Sequence, residues 1–294
     1  MSGKELPAAV RRRLERYQRD ELTDQRVYAN MARSEKNLEN QSVLQIISDE
    51  EQDHAAVWRK YTGKTGRADM VRVVFYTILA RLLGYTFVIK IMERGEALTA
   101  REYGTLREYI PEARGIMEQE EAHENRLHAM LDEERLHYVG AMVLGLNDAL
   151  VELTGTIAGL TFALQSNRLV ALAGIVTGVS ATLSMAASNY LAERADGKTD
   201  ALKSSVYTGV AYLVTVVLLV LPYLLFPADM YLGAFLSMLG VVVAIIFAFN
   251  FYIAVAKGMA FWPRFAEMAC ISLGVAVVSF GIGLVAKHLL GVDV

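Results

Sequence analysis

Five apolar runs fill the second half of the 294-residue chain: 139–164, 169–192, 204–228, 230–256 and 268–286. Each is long enough to cross roughly 30 Å of hydrocarbon as a helix. A backbone placed in lipid must satisfy its own hydrogen bonds, so runs of this length predict five membrane-spanning helices. The last four contain no Asp, Glu, Lys or Arg, whereas the first contains Asp148 and Glu152 within GLNDALVELTGTIAG, residues 145–159. Four residues apart on a helix, two carboxylates share one face at about 6 Å. An ionisable group at the bilayer centre costs at least roughly 2.5–3.5 kcal/mol, so a facing pair needs a role. One reading makes Asp148 an interfacial cap on a helix that starts later. Against it, Val139 to Leu146 is already apolar, and Asn147 adds a third polar group to the turn. The other reading is a cation site in a membrane pathway.

Charge divides the chain in two. Residues 1–138 hold 46 of the 61 Asp, Glu, Lys and Arg residues, the density of a soluble helical domain. A boundary is expected between a domain at 1–137 and a membrane domain at 138–294. Acidic residues outnumber basic ones in the N-terminal portion, which argues against nucleic-acid binding. Cys270 is the single cysteine, so neither disulfides nor a cysteine-ligated cluster is expected within the chain. The charged, polar stretch through residue 26 gives no expectation of a cleavable signal peptide.

Four helices are read in the N-terminal portion: 8–38, about 41–61, about 69–109, and one from Ala113 towards the membrane domain. Short connections between them suggest a four-helix bundle. Met70 to Met92 is nearly long enough to span a membrane, but Arg72, Arg81 and Lys90 interrupt it, so it is read as a bundle helix lying against membrane or a partner subunit.

The same half contains an internal repeat. Glu21, then Tyr28 seven residues on, precedes Glu51-Gln52-Asp53-His54; Glu96, then Tyr103 seven residues on, precedes Glu120-Glu121-Ala122-His123. One E-x-x-H in a charged chain is weak evidence, because solvated helix faces often generate it. Two at matched offsets are harder to obtain by chance. A Glu from each of two helices plus Glu-x-x-His from each of two others makes a carboxylate-bridged two-metal site. Oxygen and imidazole donors suit iron or manganese. The ligand set read here is Glu21, Glu51, His54, Glu96, Glu120 and His123, with Tyr28 and Tyr103 just outside it. Glu93 and Glu121 are neighbours that could substitute. His128 and His137 match no such spacing.

Residues 11–135 resemble the rubrerythrin branch of the ferritin-like superfamily. The resemblance implies a di-iron centre on the same six residues. The second half is shorter, with 24 residues from Glu96 to Glu120 against 30 from Glu21 to Glu51.

In the membrane domain, polar residues concentrate in the first two spans. Met185, Asn189 and Glu193 recur every fourth residue, and Gly174, Gly178 and Ser184 allow close helix approach. Met185 is read either as packing filler or as a soft metal ligand. Residues 138–290 resemble the vacuolar iron transporter family, through Gly145-Leu-Asn-Asp-Ala-Leu-Val-Glu152 and Leu183-Ser-Met-Ala-Ala-Ser-Asn-Tyr190 followed by three further spans. That resemblance implies a homodimer with Asp148 and Met185 lining a metal path at its interface. Where the family commonly has Gly-Glu-Tyr, this chain has Ser188-Asn189-Tyr190, leaving Glu152 to supply the missing charge.

Lys and Arg cluster in one set of loops, at Arg194, Lys198, Lys203, Lys257 and Arg264, on the side of the N-terminal domain. The expectation is a multi-pass cell-membrane protein with a cytoplasmic N-terminal domain and an external C-terminus. Together these readings give an all-α chain, a ferritin-like bundle followed by five transmembrane helices. Its expected function is export of Fe²⁺, or Mn²⁺, in exchange for protons, along a path that includes Asp148, Glu152, Met185 and Asn189. The rival is a membrane-anchored di-iron ferroxidase or peroxidase.

Overall fold

The computed structural model describes residues 6–93, 106, 109–130 and 137–290, and the secondary structure of these residues is helical. The chain divides into two compact units, Met1–Glu133 and Glu134–Val294.

In the N-terminal unit, α1 is Ala8–Ser34, α2 is Leu38–Thr62 and α3 is Met70–Leu83. Residues 85–93 form α4, and α5 is Ala113–Met130. Local chemistry sets these limits. The Asn37 side chain accepts from the Glu39 and Asn40 amides to cap α2, and Gly63 closes that helix in the left-handed region at φ 66°. Asp69 caps α3 in the same way, on Val71 and Arg72.

The helix expected over 69–109 is not continuous. It breaks at Gly84, whose φ of 95° and ψ of 156° a side chain would resist. The two pieces have different surroundings. In α4, Phe87, Val88, Ile89 and Met92 are buried. In α3 Val73 is buried, while Val71, Val74, Phe75, Ile78 and Leu82 are exposed. Glu96 and Tyr103 lie outside the described residues.

Two apolar layers form the core of this unit. One joins Val27, Tyr28 and Met31 of α1 to Leu44 and Ile47 of α2, Val88, Ile89 and Met92 of α4, and Leu127 of α5. The other joins Leu14 and Tyr17 to Trp58, Ile110 and Ile116. Between the two layers lie the buried polar residues Glu21 of α1, Glu51 and His54 of α2, and His123 of α5.

In the C-terminal unit, α6 is Val139–Leu164, α7 Asn167–Ala195, α8 Ala201–Leu225, α9 Tyr231–Ala256 and α10 Phe261–Leu290. All five are long and apolar enough to cross a membrane. Several of the expected limits shift, and two of the shifts have a local cause. The third span ends at Leu225 because Phe226 turns extended before Pro227. The fifth starts at Phe261, seven residues earlier than expected, because Pro263 sits in its first turn, where no backbone donor is lost.

Helix α6 packs against each of the other four. Its Leu146, Leu150, Leu153 and Ile157 meet Val170, Tyr212, Val216, Leu219, Met238, Val242 and Met268 in one core. Helices α6 and α8 approach closely at Gly145, where a Cβ would run into the Thr208 carbonyl oxygen. At that level the Thr208 hydroxyl donates to the Ala141 carbonyl at 3.1 Å.

Candidate functional site

Between the apolar layers of the N-terminal unit, four side chains converge. Ligand atoms of Glu21, Glu51, His54 and Glu120 all lie within 4.8 Å of one another. Helical spacing explains why: Glu51 and His54, like Glu120 and His123, sit three residues apart and project from one face. His54 Nδ1 is 3.6 Å from Glu51 Oε2, 3.1 Å from Glu120 Oε1 and 4.0 Å from Glu21 Oε2. His123 Nδ1 is 3.3 Å from Glu51 Oε1 and 3.6 Å from Glu120 Oε2. Glu51 and Glu120 therefore each offer one oxygen towards each imidazole. The rings lie nearly parallel, with centroids 5.7 Å apart.

The outward ring nitrogens are engaged elsewhere. His54 Nε2 donates to Gln119 Oε1 at 2.9 Å. His123 Nε2 donates to Glu50 Oε2 at 2.7 Å, and that oxygen also accepts from Arg126. Trp58 Nε1 donates to Glu21 Oε1 at 2.9 Å. Both inward Nδ1 atoms and Glu120 Oε2 are buried without an aligned hydrogen bond, although the carboxylates stand close. A ring fixed by its outer N–H with its other lone pair left inward is the arrangement that metal-ligating histidines adopt. The donor set is oxygen and imidazole, suited to first-row divalent ions. The residues present therefore fit a metal.

Without such an ion, protons do its work. Burial disfavours an imidazolium at His54, but Glu120 and Glu51 outweigh it and hold the ring up at about 10. The same opposition holds His123 at about 9. Burial likewise opposes charge on Glu51, yet His123 and His54 hold it down at about 2. Glu21 is pushed well above the usual carboxylate range by burial and then by Glu51.

Of the residues expected here, Tyr28 lies buried in the neighbouring apolar layer. Glu93 pairs with Lys90 at 3.0 Å and is not in the converging group. Glu121 is exposed. Spacing within a helix did not reveal Gln119, Glu50 and Trp58. Glu50 and Gln119 directly precede Glu51 and Glu120, and Trp58 follows His54 by one turn.

In the C-terminal unit, Asp148 is partly buried on α6 and Glu152 is exposed on the surface of the single chain. Glu152 Oε2 accepts from the hydroxyl of Tyr212, a buried residue of α8, at 2.9 Å. Met185 packs partly buried against the core. Asn189 is buried and turned into α8, its amide donating to Ser204 Oγ at 3.0 Å. The third span, outside the two where polar residues are expected to concentrate, carries Ser204, Thr208, Tyr212 and Thr215, all buried. That three-to-four-residue stripe was visible in the sequence beneath a strongly apolar average.

These features define a multi-pass membrane protein whose other unit holds a buried cluster able to bind a metal. Residues 139–199, covering α6, α7 and the turn after them, match the VIT family. No curated protein and no solved structure matches the chain.

Proposed function

We propose that the chain is a divalent-metal exporter carrying Fe²⁺, with Mn²⁺ as the alternative cargo, out of the cytoplasm in exchange for protons. The observation that carries this reading is the carboxylate pair Asp148 and Glu152 on a membrane-length helix, inside the segment that matches the VIT family. A divalent ion in low dielectric needs opposing charge, and two carboxylates one turn apart supply it. When the ion leaves, the two negative charges repel, which favours uptake of a proton.

The distribution of Lys and Arg supports an N-terminal unit on the cytoplasmic side and an external C-terminus. Glu152, exposed on a single chain at membrane depth, supports a homodimer in which a second copy and a hydrated path cover that face.

In this reading the N-terminal unit is a ferritin-like four-helix bundle that gathers the cargo ion and holds two iron or manganese ions. Glu21, Glu51, His54, Glu120 and His123 would hold them, with Glu96 as the remaining ligand the sequence repeat supplies. Two irons held together supply a route for oxidising Fe²⁺ with O₂ or peroxide. The bundle's residues fix the rings through Gln119 and Glu50, and exclude bulk water with the two apolar layers. The rival, a ferroxidase or peroxidase merely anchored by its spans, takes support from this buried centre but gives Asp148 and Glu152 no task.

Purified protein in proteoliposomes tests the proposal. Fe²⁺ and Mn²⁺ should cross faster than in empty vesicles, and an opposing pH gradient should drive their accumulation. Metal flux equal to that of empty vesicles, in protein that still oxidises Fe²⁺, would establish the anchored enzyme instead.

A further inference from the structure

One buried carboxylate stands one helical turn from the metal cluster without belonging to it. Asp24 is only 7% exposed, and its Oδ1 is buried with no hydrogen-bond partner. It follows Glu21 by three residues and Asp20 by four, so all three share one flank of α1. The two neighbours occupy opposite environments. Glu21 is buried in the centre and accepts a hydrogen bond from Trp58. Asp20 reaches solvent, with its side chain 32% exposed and 2.7 Å from Arg72 of α3. Asp24 thus stands between a surface ion pair and the metal-binding residues. Its carboxyl is raised well above the usual range by burial and then by Glu51, with Arg72 opposing and Asp20 and Glu120 reinforcing.

A buried carboxyl oxygen without a partner costs stability, roughly 1–3 kcal/mol for a neutral group and more for a charged one. Packing alone gives no reason to keep it, because an apolar residue of similar size removes the penalty. It lies outside the group that converges within 4.8 Å and, unlike Glu51 and Glu120, is not paired with either imidazole, so it is not placed as a member of the resident set.

We propose that Asp24 is a transit ligand, a carboxylate that receives a hydrated divalent cation near the Asp20–Arg72 pair and passes it to Glu21 and Glu51. This rests on the reading of the cluster as a metal centre. The ion exchanges part of its water shell for Asp24 oxygen and then for the cluster's donors. The Asp20–Arg72 pair covers the outer end and must open as the ion arrives. Carboxylate spacing of one turn keeps each transfer short. The free oxygen on Asp24 is available to an ion because nothing else in the fold uses it.

Stopped-flow loading of the metal-stripped, full-length protein with Co²⁺, read by its visible absorption bands, separates this role from its competitors. Asp24→Asn keeps side-chain volume and should reach the wild-type endpoint and stoichiometry, but about tenfold or more slowly, equivalent to about 1.4 kcal/mol in barrier height. Asp24→Glu should recover most of the rate. Asp20→Asn, at the exposed end where folding is not at stake, should slow loading by a smaller factor and keeps the test available if Asp24→Asn misfolds. Wild-type rates in Asp24→Asn, or in Asp20→Asn if it alone folds, overturn the route. A lower Co²⁺ endpoint in Asp24→Asn would make Asp24 a resident ligand and equally overturn it. The metal-centre reading fails separately, if wild type gives no Co²⁺ bands or if Glu51→Ala gives the wild-type spectrum.

Discussion

At the scale of single residues, the N-terminal centre is a contest between protons and metal for the same lone pairs. His54 and His123, held at about 10 and about 9, carry protons at neutral pH when no metal is bound. A raised histidine pKa contributes stability that is complete below the unfolded value near 6.5 and lost as pH climbs through the folded one. Glu51, held down at about 2, has the opposite sign: its contribution is complete above about 4.5 and disappears as pH falls towards 2. Glu21, raised well above the usual carboxylate range, also loses its contribution as pH climbs above about 4.5. The metal-free protein should therefore be most stable near pH 4.5 as far as this cluster decides it, and its Tm should drop by several degrees between pH 6.5 and 9.5. Metal binding should show the reverse trend, strengthening as pH rises and releasing protons. Calorimetry of Mn²⁺ binding at pH 7 in buffers of different ionisation enthalpy reads that release. A binding enthalpy independent of buffer would contradict the protonated state described.

Residue spacing made some of this centre legible. The two E-x-x-H pairs mark Glu51, His54, Glu120 and His123, because an i, i+3 offset fixes a shared face whatever the fold. The outer partners depend on how α2 and α5 are rotated against each other. For this reason Gln119 reaching His54 and Glu50 reaching His123 could not be read from either helix alone. Asp24 is not legible in the sequence, because charged residues crowd α1 and composition does not distinguish a buried aspartate from a solvated one.

At the scale of elements, backbone approach sets the membrane unit's packing. Gly145 lies where α6 meets the Thr208 carbonyl of α8, whereas Gly140, five residues earlier on α6, has open space within 4 Å of the point a methyl group would occupy. The two glycines should respond oppositely to alanine. Gly140→Ala gains helix propensity worth up to roughly 1 kcal/mol and should leave detergent-solubilised protein as stable or slightly more so. Gly145→Ala must push α6 and α8 apart, and overpacking of this kind costs about 1–3 kcal/mol, so Tm should fall. Equal thermal stability of the two variants would contradict the α6–α8 contact. The five spans themselves were legible from length and hydropathy. The break of α3 from α4 was not, since a glycine inside an apolar run signals a turn only when its φ is known. The polar stripe of α8 was likewise hidden by averaging, because Thr and Tyr at every third or fourth position barely dilute a run of Val and Leu.

At the scale of the whole molecule, charge density alone separates a charged helical region from an apolar one near residue 138, and the chain divides into compact units at Glu133/Glu134. What joins the two units functionally is the central claim: metal collected in one leaves through the other. Asp148→Asn tests it most directly, because the amide keeps the volume and hydrogen bonding of the side chain and removes only its charge. A neutral amide cannot offset a divalent ion where the dielectric is low. Fe²⁺ flux through proteoliposomes should fall at least about tenfold, while the metal content of the N-terminal centre stays at the wild-type level. Wild-type Fe²⁺ flux through Asp148→Asn would contradict the transport mechanism, whatever the N-terminal unit binds.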